Sequence, residues 1–216
     1  MNDLYSDFCN KIKESEPYCF SRWGDGEWNC ILGVEGQNCD GHTYFRDLGE
    51  RLAQILRKRQ KYFLGLQSFA LQKMGGRIAE WLQKNTFKKR WINADVFHDA
   101  SKDERLETLF KVLRQRNVIL VGPAHLKKID TFEPVGFVEV PLRNCWLDYH
   151  NIISHLIASY AELQQYDPVV LICSGMPGKV MVDEMSDIQG MTCIDLGSAL
   201  DPYVGVKSRR YHKEMV

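Results

Sequence analysis

Two short runs in this chain are apolar at every position and end in glycine. One is Val118-Ile119-Leu120-Val121, following Asn117 and closed by Gly122-Pro123. The other begins at Pro168, runs through Val169 to Cys173, and is closed by Ser174-Gly175-Met176-Pro177-Gly178. Successive side chains of a strand point to opposite faces, so a strand that is apolar throughout must be covered on both sides. That is the condition of a strand inside a parallel sheet.

The rest of the chain reads in alternation with these runs. Leu4, Phe8 and Ile12 form one stripe of a helix within residues 1–15, which Pro17 stops. A strand follows over 18–23, then a helix over 48–59, a strand over 62–66 and a helix over 69–82 that Gly75-Gly76 weakens. A third strand falls within 90–96. An amphipathic helix over 103–115 carries Leu106, Leu109, Phe110 and Leu113. Strands are expected at 137–140 and 192–196, and helices at 146–160 and 179–185. Strands alternating with helices predict one α/β domain over residues 1–216, Rossmann-related: an open, mostly parallel sheet with helices on both faces. A chain of 216 residues is long enough to bury such a core.

Ligands of open α/β sheets bind where the carboxyl ends of the strands meet their loops. Three such ends carry glycine: Gly24 and Gly26, Gly122, and Gly175 with Gly178. The last strand ends in Asp195-Leu196-Gly197-Ser198. At the first end, Asp25 and Glu27 are two residues apart, and in an extended turn both carboxylates can reach one hard cation such as magnesium or manganese. Arg22 can fork onto a phosphate. The same residues also fit a polar turn with an exposed acid pair. Ser174-Gly175-Met176-Pro177-Gly178-Lys179 opens a helix, where backbone N–H groups and Lys179 can hold phosphate; it also reads as a simple strand-to-helix turn. It is no Walker motif, because Val180 follows Gly178-Lys179. Asp195 and Asp201 are candidates for the base that takes an acceptor's proton, Asp195 also for a second metal contact, or both for caps of their turns. His125, just past Gly122-Pro123, falls near the same crevice. Trp28, Trp146 and Tyr149 can stack on a base or sugar but fit a core equally. The six histidines include no pair at spacing four, which argues against zinc.

Arg22-Trp23-Gly24-Asp25-Gly26-Glu27 resembles the R-[FW]-G-D-G-E signature of the GT-D-fold glycosyltransferases, bacterial and phage enzymes. The resemblance continues in order through Val118–Leu126, Leu171–Val182 and Cys193-Ile194-Asp195-Leu196-Gly197-Ser198, from about residue 18 to about residue 205. It implies a GT-D fold, a divalent metal (Mn2+ or Mg2+) on Asp25 and Glu27, and a nucleotide sugar, a UDP-sugar first among them, as donor. Arg22, Trp23, Gly24, Gly26, Gly122, Ser174, Gly175 and Lys179 would surround that donor. Members often have a histidine after the closing Asp-x-Gly, followed by an acidic residue and tyrosine. Here the run is Ser198-Ala199-Leu200-Asp201-Pro202-Tyr203, and Asp201 stands as a partial substitute.

Composition bears on the acceptor. The formal net charge is zero, so only local patches can hold a polyanion. Three basic runs offer them: Arg57-Lys58-Arg59-Gln60-Lys61, Lys88-Lys89-Arg90 and Lys207-Ser208-Arg209-Arg210. With the likeness to small phage-type members, they point to 5-hydroxymethylcytosine in DNA as acceptor; a saccharide or protein hydroxyl is the alternative. A nucleotide-binding module without catalysis and a phosphotransferase are the rival classes. Seven cysteines, an odd number without a C-x-x-C pair, predict reduced thiols in a cytoplasm. No apolar run approaches the ~18 residues of a membrane span.

Overall fold

The structure, a computed structural model, describes residues 3–208 and His212. Seven strands form one sheet: β1 (Cys19–Trp23), β2 (Phe63–Leu66), β3 (Trp91–Asn93), β4 (Val118–Gly122), β5 (Gly136–Glu139), β6 (Val169–Ile172) and β7 (Thr192–Asp195). Their spatial order is β3-β2-β1-β7-β6-β4-β5, and every pairing is parallel. The helices are α1 (Leu4–Lys13), α2 (Asp25–Ile31), α3 (Arg46–Arg57), α4 (Ser68–Asn85), α5 (Val96–Lys102), α6 (Glu107–Leu113), α7 (Tyr149–Leu163) and α8 (Gly178–Met185).

The two apolar runs are β4 and β6, and they explain themselves by position. Ile119, Val121, Val170 and Ile172 enter a core shared with α2, α3, α4, α7 and α8. Val118, Leu120, Val169 and Leu171 enter a second core, under α1, α5 and α6. All eight are fully buried, each worth roughly 1.5–3 kcal/mol of transfer free energy. The first half of the chain builds outward from β1 to β3. The second half starts near the other edge and returns through β6 to β7, beside β1. Strand order thus reverses between β1 and β7, the place where an open sheet leaves a crevice.

Two helices stand where none was expected. The segment 25–27 is not an extended turn but the first turn of α2, too short at seven residues for its apolar period to register. The third strand stops at Asn93, and α5 occupies the residues beyond it. Helix α4 spans the expected 69–82 but contains a break: Met74 has φ −145° and ψ 21°, directly before Gly75-Gly76.

Candidate active site at the carboxyl ends of the strands

β1 delivers Arg22 and then Gly24, which caps α2. The Gly24 N–H donates to Glu27 Oε2 at 2.7 Å, closing the first turn of the helix. Gly24 and Gly26 do not have left-handed backbones; what a side chain would meet at each is the end of a flexible neighbour. A Cβ on Gly24 would lie 2.6 Å from Gln67 Oε1, and one on Gly26 would lie 3.2 Å from Met176 Sδ. Helical geometry also separates the two acids, since residues at i and i+2 do not face each other.

Glu27 points inward. It is 5% exposed, and its Oε1 lies 2.8 Å from Lys179 Nζ. Lys179, 2% exposed on the first turn of α8, also reaches Asp195 Oδ2 at 2.9 Å and donates to the Gly175 carbonyl at 3.1 Å. All three ammonium donors are therefore used. Asp195, fully buried, also accepts from the Arg22 N–H at 3.2 Å and the Gly197 N–H at 3.0 Å. Burial alone would push the Glu27 carboxyl up; the charge and hydrogen bond of Lys179 outweigh it and hold it below the usual carboxylate range. Burial works downward on Lys179, but Asp195 and Glu27 raise it above the usual lysine value. This Glu27–Lys179–Asp195 cluster ties β1, β7 and α8 together.

Asp25 points outward, its side chain 32% exposed, with Lys73 Nζ of α4 at 3.4 Å. Arg22 lies beside it in the chain, 14% exposed, with a guanidinium nitrogen 3.6 Å from Asp95 Oδ1. Its Nε is buried without a hydrogen-bond partner among the described residues. Asp95 also accepts the Ser68 N–H that starts α4. In the segments after β4 and β7, His125 Nε2 lies 3.0 Å from Asp201 Oδ1, and the Ser208 hydroxyl donates to the other oxygen of Asp201. His125 keeps about a fifth of its side chain exposed while Asp201 is buried behind it. Cys173 sits between Asp201 and Asp195; burial, then those two carboxylates, push its thiol well up.

The structure thus brings Arg22, Asp25, Glu27, Lys179, Asp195 and Asp201 to one end of the sheet. The other expected ligand residues have local reasons. Trp23 is fully buried, donates its indole N–H to Ser21 at 2.7 Å and packs on Trp28 and Trp91. Ser174 turns its hydroxyl toward Met181 Sδ at 3.5 Å. A Cβ on Gly122 would lie 2.6 Å from Leu126. Gly175 alone of these needs a left-handed backbone, at φ +66°, and stacks under His42. Lys73 and Asp95 were not singled out from the sequence. Asp95 carried a faint signal, an acid just past a strand end; Lys73 carried none.

For a metal, Asp25 is the carboxylate that fits. Both oxygens of Glu27 are already engaged, and no group of three His, Cys, Asp or Glu among the described residues gathers to hold an ion. A hard cation bound by one carboxylate, with phosphate oxygens and water completing its shell, is the ordinary magnesium arrangement. The orphaned Arg22 Nε suits a phosphate oxygen beside it.

The chain is an α/β protein of glycosyltransferase-like fold. Two solved structures of domain of unknown function 1792 share it, one of them the selenomethionine-substituted form and the other described as having a distinct glycosyltransferase fold. Both are 19% identical to this chain over 92% of its length and 78% of theirs, with TM-scores of 0.66 and 0.65. At that identity the likeness is one of fold. No protein-family model matches the chain, and no curated protein matches it in sequence. No helix among the described residues is long and apolar enough to cross a membrane.

Proposed function

We propose that the chain transfers a sugar from a nucleoside-diphosphate donor, a UDP-sugar first among the candidates, to an acceptor hydroxyl. The observation that carries this reading is that two sets of polar groups gather at the carboxyl end of the sheet. Asp25 and the orphaned Arg22 donor follow from β1, and the His125–Asp201 pair is built from the segments after β4 and β7. Arg22 would bind the diphosphate, and Asp25 would hold Mn2+ or Mg2+. The ion's chemistry is neutralisation of the charge that develops on the leaving diphosphate. Glu27 and Lys179 fix the loop that presents Asp25, and Asp195 fixes Arg22 through its backbone N–H. With His125 Nε2–H donated to Asp201, Nδ1 is left to take the acceptor's proton. Asp201 orients that ring, which gives the acidic residue of the closing segment a role through a histidine from another loop.

The acceptor under test is 5-hydroxymethylcytosine in DNA, whose hydroxymethyl group supplies the hydroxyl that plain cytosine lacks; a saccharide or protein hydroxyl is the alternative. The basic runs support DNA, but two of them gather at the far end of the sheet. The third reaches the site end through Lys207 and Ser208, and its Arg209 and Arg210 lie outside the described residues. The test is incubation with a panel of nucleotide sugars and Mn2+, read by mass spectrometry of nucleosides, oligosaccharides and peptides. Asp25→Asn is expected to remove transfer and metal-dependent donor binding with the fold intact. His125→Asn is expected to lower kcat by roughly 100-fold or more with donor binding unchanged. Undiminished transfer by Asp25→Asn, or by the wild type in excess chelator, would sink the metal assignment.

A further inference from the structure

The runs 57–61 and 88–90 are far apart in sequence and meet in space. Lys89 Nζ donates to the Lys58 carbonyl and to Gln60 Oε1, the latter at 2.7 Å. They sit where β2 and β3 begin, at the opposite end of the sheet from Asp25. The strands hold the two ends at least about 10 Å apart, at ~3.3 Å per residue.

Arg57, Lys58, Arg59, Lys61, Lys88 and Arg90 are all exposed here. Among the described residues Asp183 is the acid that pairs with one of them, 3.7 Å from Lys58, and Lys61, Lys88 and Arg90 form no ion pair. In a chain of zero formal charge this is a concentrated positive field. Two of the arginines lie over aromatic rings. Arg57 lies 5.9 Å from the centre of the Trp81 ring, and Arg59 lies 5.4 Å from that of Phe87, with their N–H edges left for an anion. Phe87 is 59% exposed, a large apolar ring among cations.

We infer that this surface binds a single-stranded nucleic acid, its phosphates on the cations and a base on Phe87. Aromatic rings interleaved with cations are how such strands are held without sequence preference. An anionic bilayer would use the same charges but would need a broader apolar face to insert. Because the surface faces away from His125, a strand bound here tethers the protein and does not present its bases to the crevice. The inference stands apart from the transfer reading, since its test involves no donor.

The experiment is fluorescence anisotropy of a labelled oligothymidylate with the whole protein across a salt series. Affinity is expected to fall with salt. Arg59→Gln, Lys88→Gln and Arg90→Gln together should flatten the log–log slope by roughly 2, at about 0.7 per phosphate contact for single strands. Phe87→Ala should weaken binding roughly tenfold and leave the slope unchanged. Thermal unfolding of each variant, expected to match wild type because every changed side chain is exposed, guards against a folding artefact. No binding at low salt would overturn the inference. So would unchanged binding by the triple variant, or capture by phosphatidylserine-containing vesicles without any binding to the oligonucleotide.

Discussion

Replacing Lys179 with methionine removes the cation between two buried carboxylates and leaves the space filled. Glu27 is 5% exposed and Asp195 is fully buried, so water cannot take over the role of the ammonium. Deleting one partner of a buried pair while its counter-charges stay behind costs about 3–5 kcal/mol. In a domain of this size that is a fall of roughly 6–20 °C in unfolding temperature.

The pH dependence makes the test sharper. In the wild type, Glu27 is held below its usual range, so its contribution is complete above the unfolded carboxyl value and is lost as pH falls through the folded one. Lys179 is raised, so its contribution is complete below the unfolded lysine value and is lost as pH rises through the folded one. Between about pH 5 and 9 both are in place, given reference values near 4.3 and 10.4, and this cluster adds no slope. Without Lys179, one of the facing carboxyls must take up a proton. The variant should therefore gain stability as pH drops from 7 to 5, where the wild-type cluster is flat. Urea denaturation at both pH values measures this, and adding Glu27→Gln to Lys179→Met should restore part of the loss. A loss below about 1 kcal/mol at pH 7, the size of an exposed pair, would refute the reasoning.

Two further outcomes follow from local geometry. None of the seven cysteines forms a disulfide, and Cys39 is exposed while the others are buried. Burial pushes Cys19, Cys30 and Cys145 up to about 12. Brief alkylation of the folded protein should add one label by mass, at Cys39, with the rest labelled after unfolding; rapid labelling of several sites would contradict this packing. Gly197 and Gly190 both have left-handed backbones, at φ +57° and +78°, but a Cβ on Gly197 would lie 3.1 Å from His98 Cε1 while Gly190 faces open space. Alanine should cost about 1–2 kcal/mol at Gly190 and more at Gly197; equal losses in denaturant would show that the His98 ring moves aside freely.

The sheet was legible because burial on two faces leaves a mark that needs no partner information. β4 and β6 announce themselves through eight apolar side chains that alternate between two cores. The edge strand β3 lies within the expected 90–96 but leaves a weaker mark, which blurs its end: it has three residues, Trp91 and Ile92 are half-buried, and α5 follows almost at once. Helix α2 hid for a related reason. Seven residues carry at most two turns, and Gly26 leaves a gap in the apolar pattern where Met176 packs close by. The weak point at Gly75-Gly76 was visible, and the break falls one residue earlier, at Met74, whose side chain is buried while its backbone leaves the helix.

The site was half legible, and one local choice of backbone separates the halves. In an extended segment Asp25 and Glu27 would point the same way and compete for the same ion. Once Gly24 caps a helix, Asp25 turns to solvent and Glu27 turns to Lys179. The two acids of the short motif then part: one carboxylate anchors the loop through a buried charge cluster, and the other stays partly exposed beside Lys73. Of what completes the site, Lys73 arrives from α4 with no local pattern to mark it, and His125 and Asp201, each a candidate alone, meet across 76 residues of chain. Strand order brings them together, because β1 and β7 are neighbours at the reversal and β4 lies one strand beyond β6. Spacing within a motif can suggest which residues carry charge; which of them is free to act depends on what the rest of the sheet places against them.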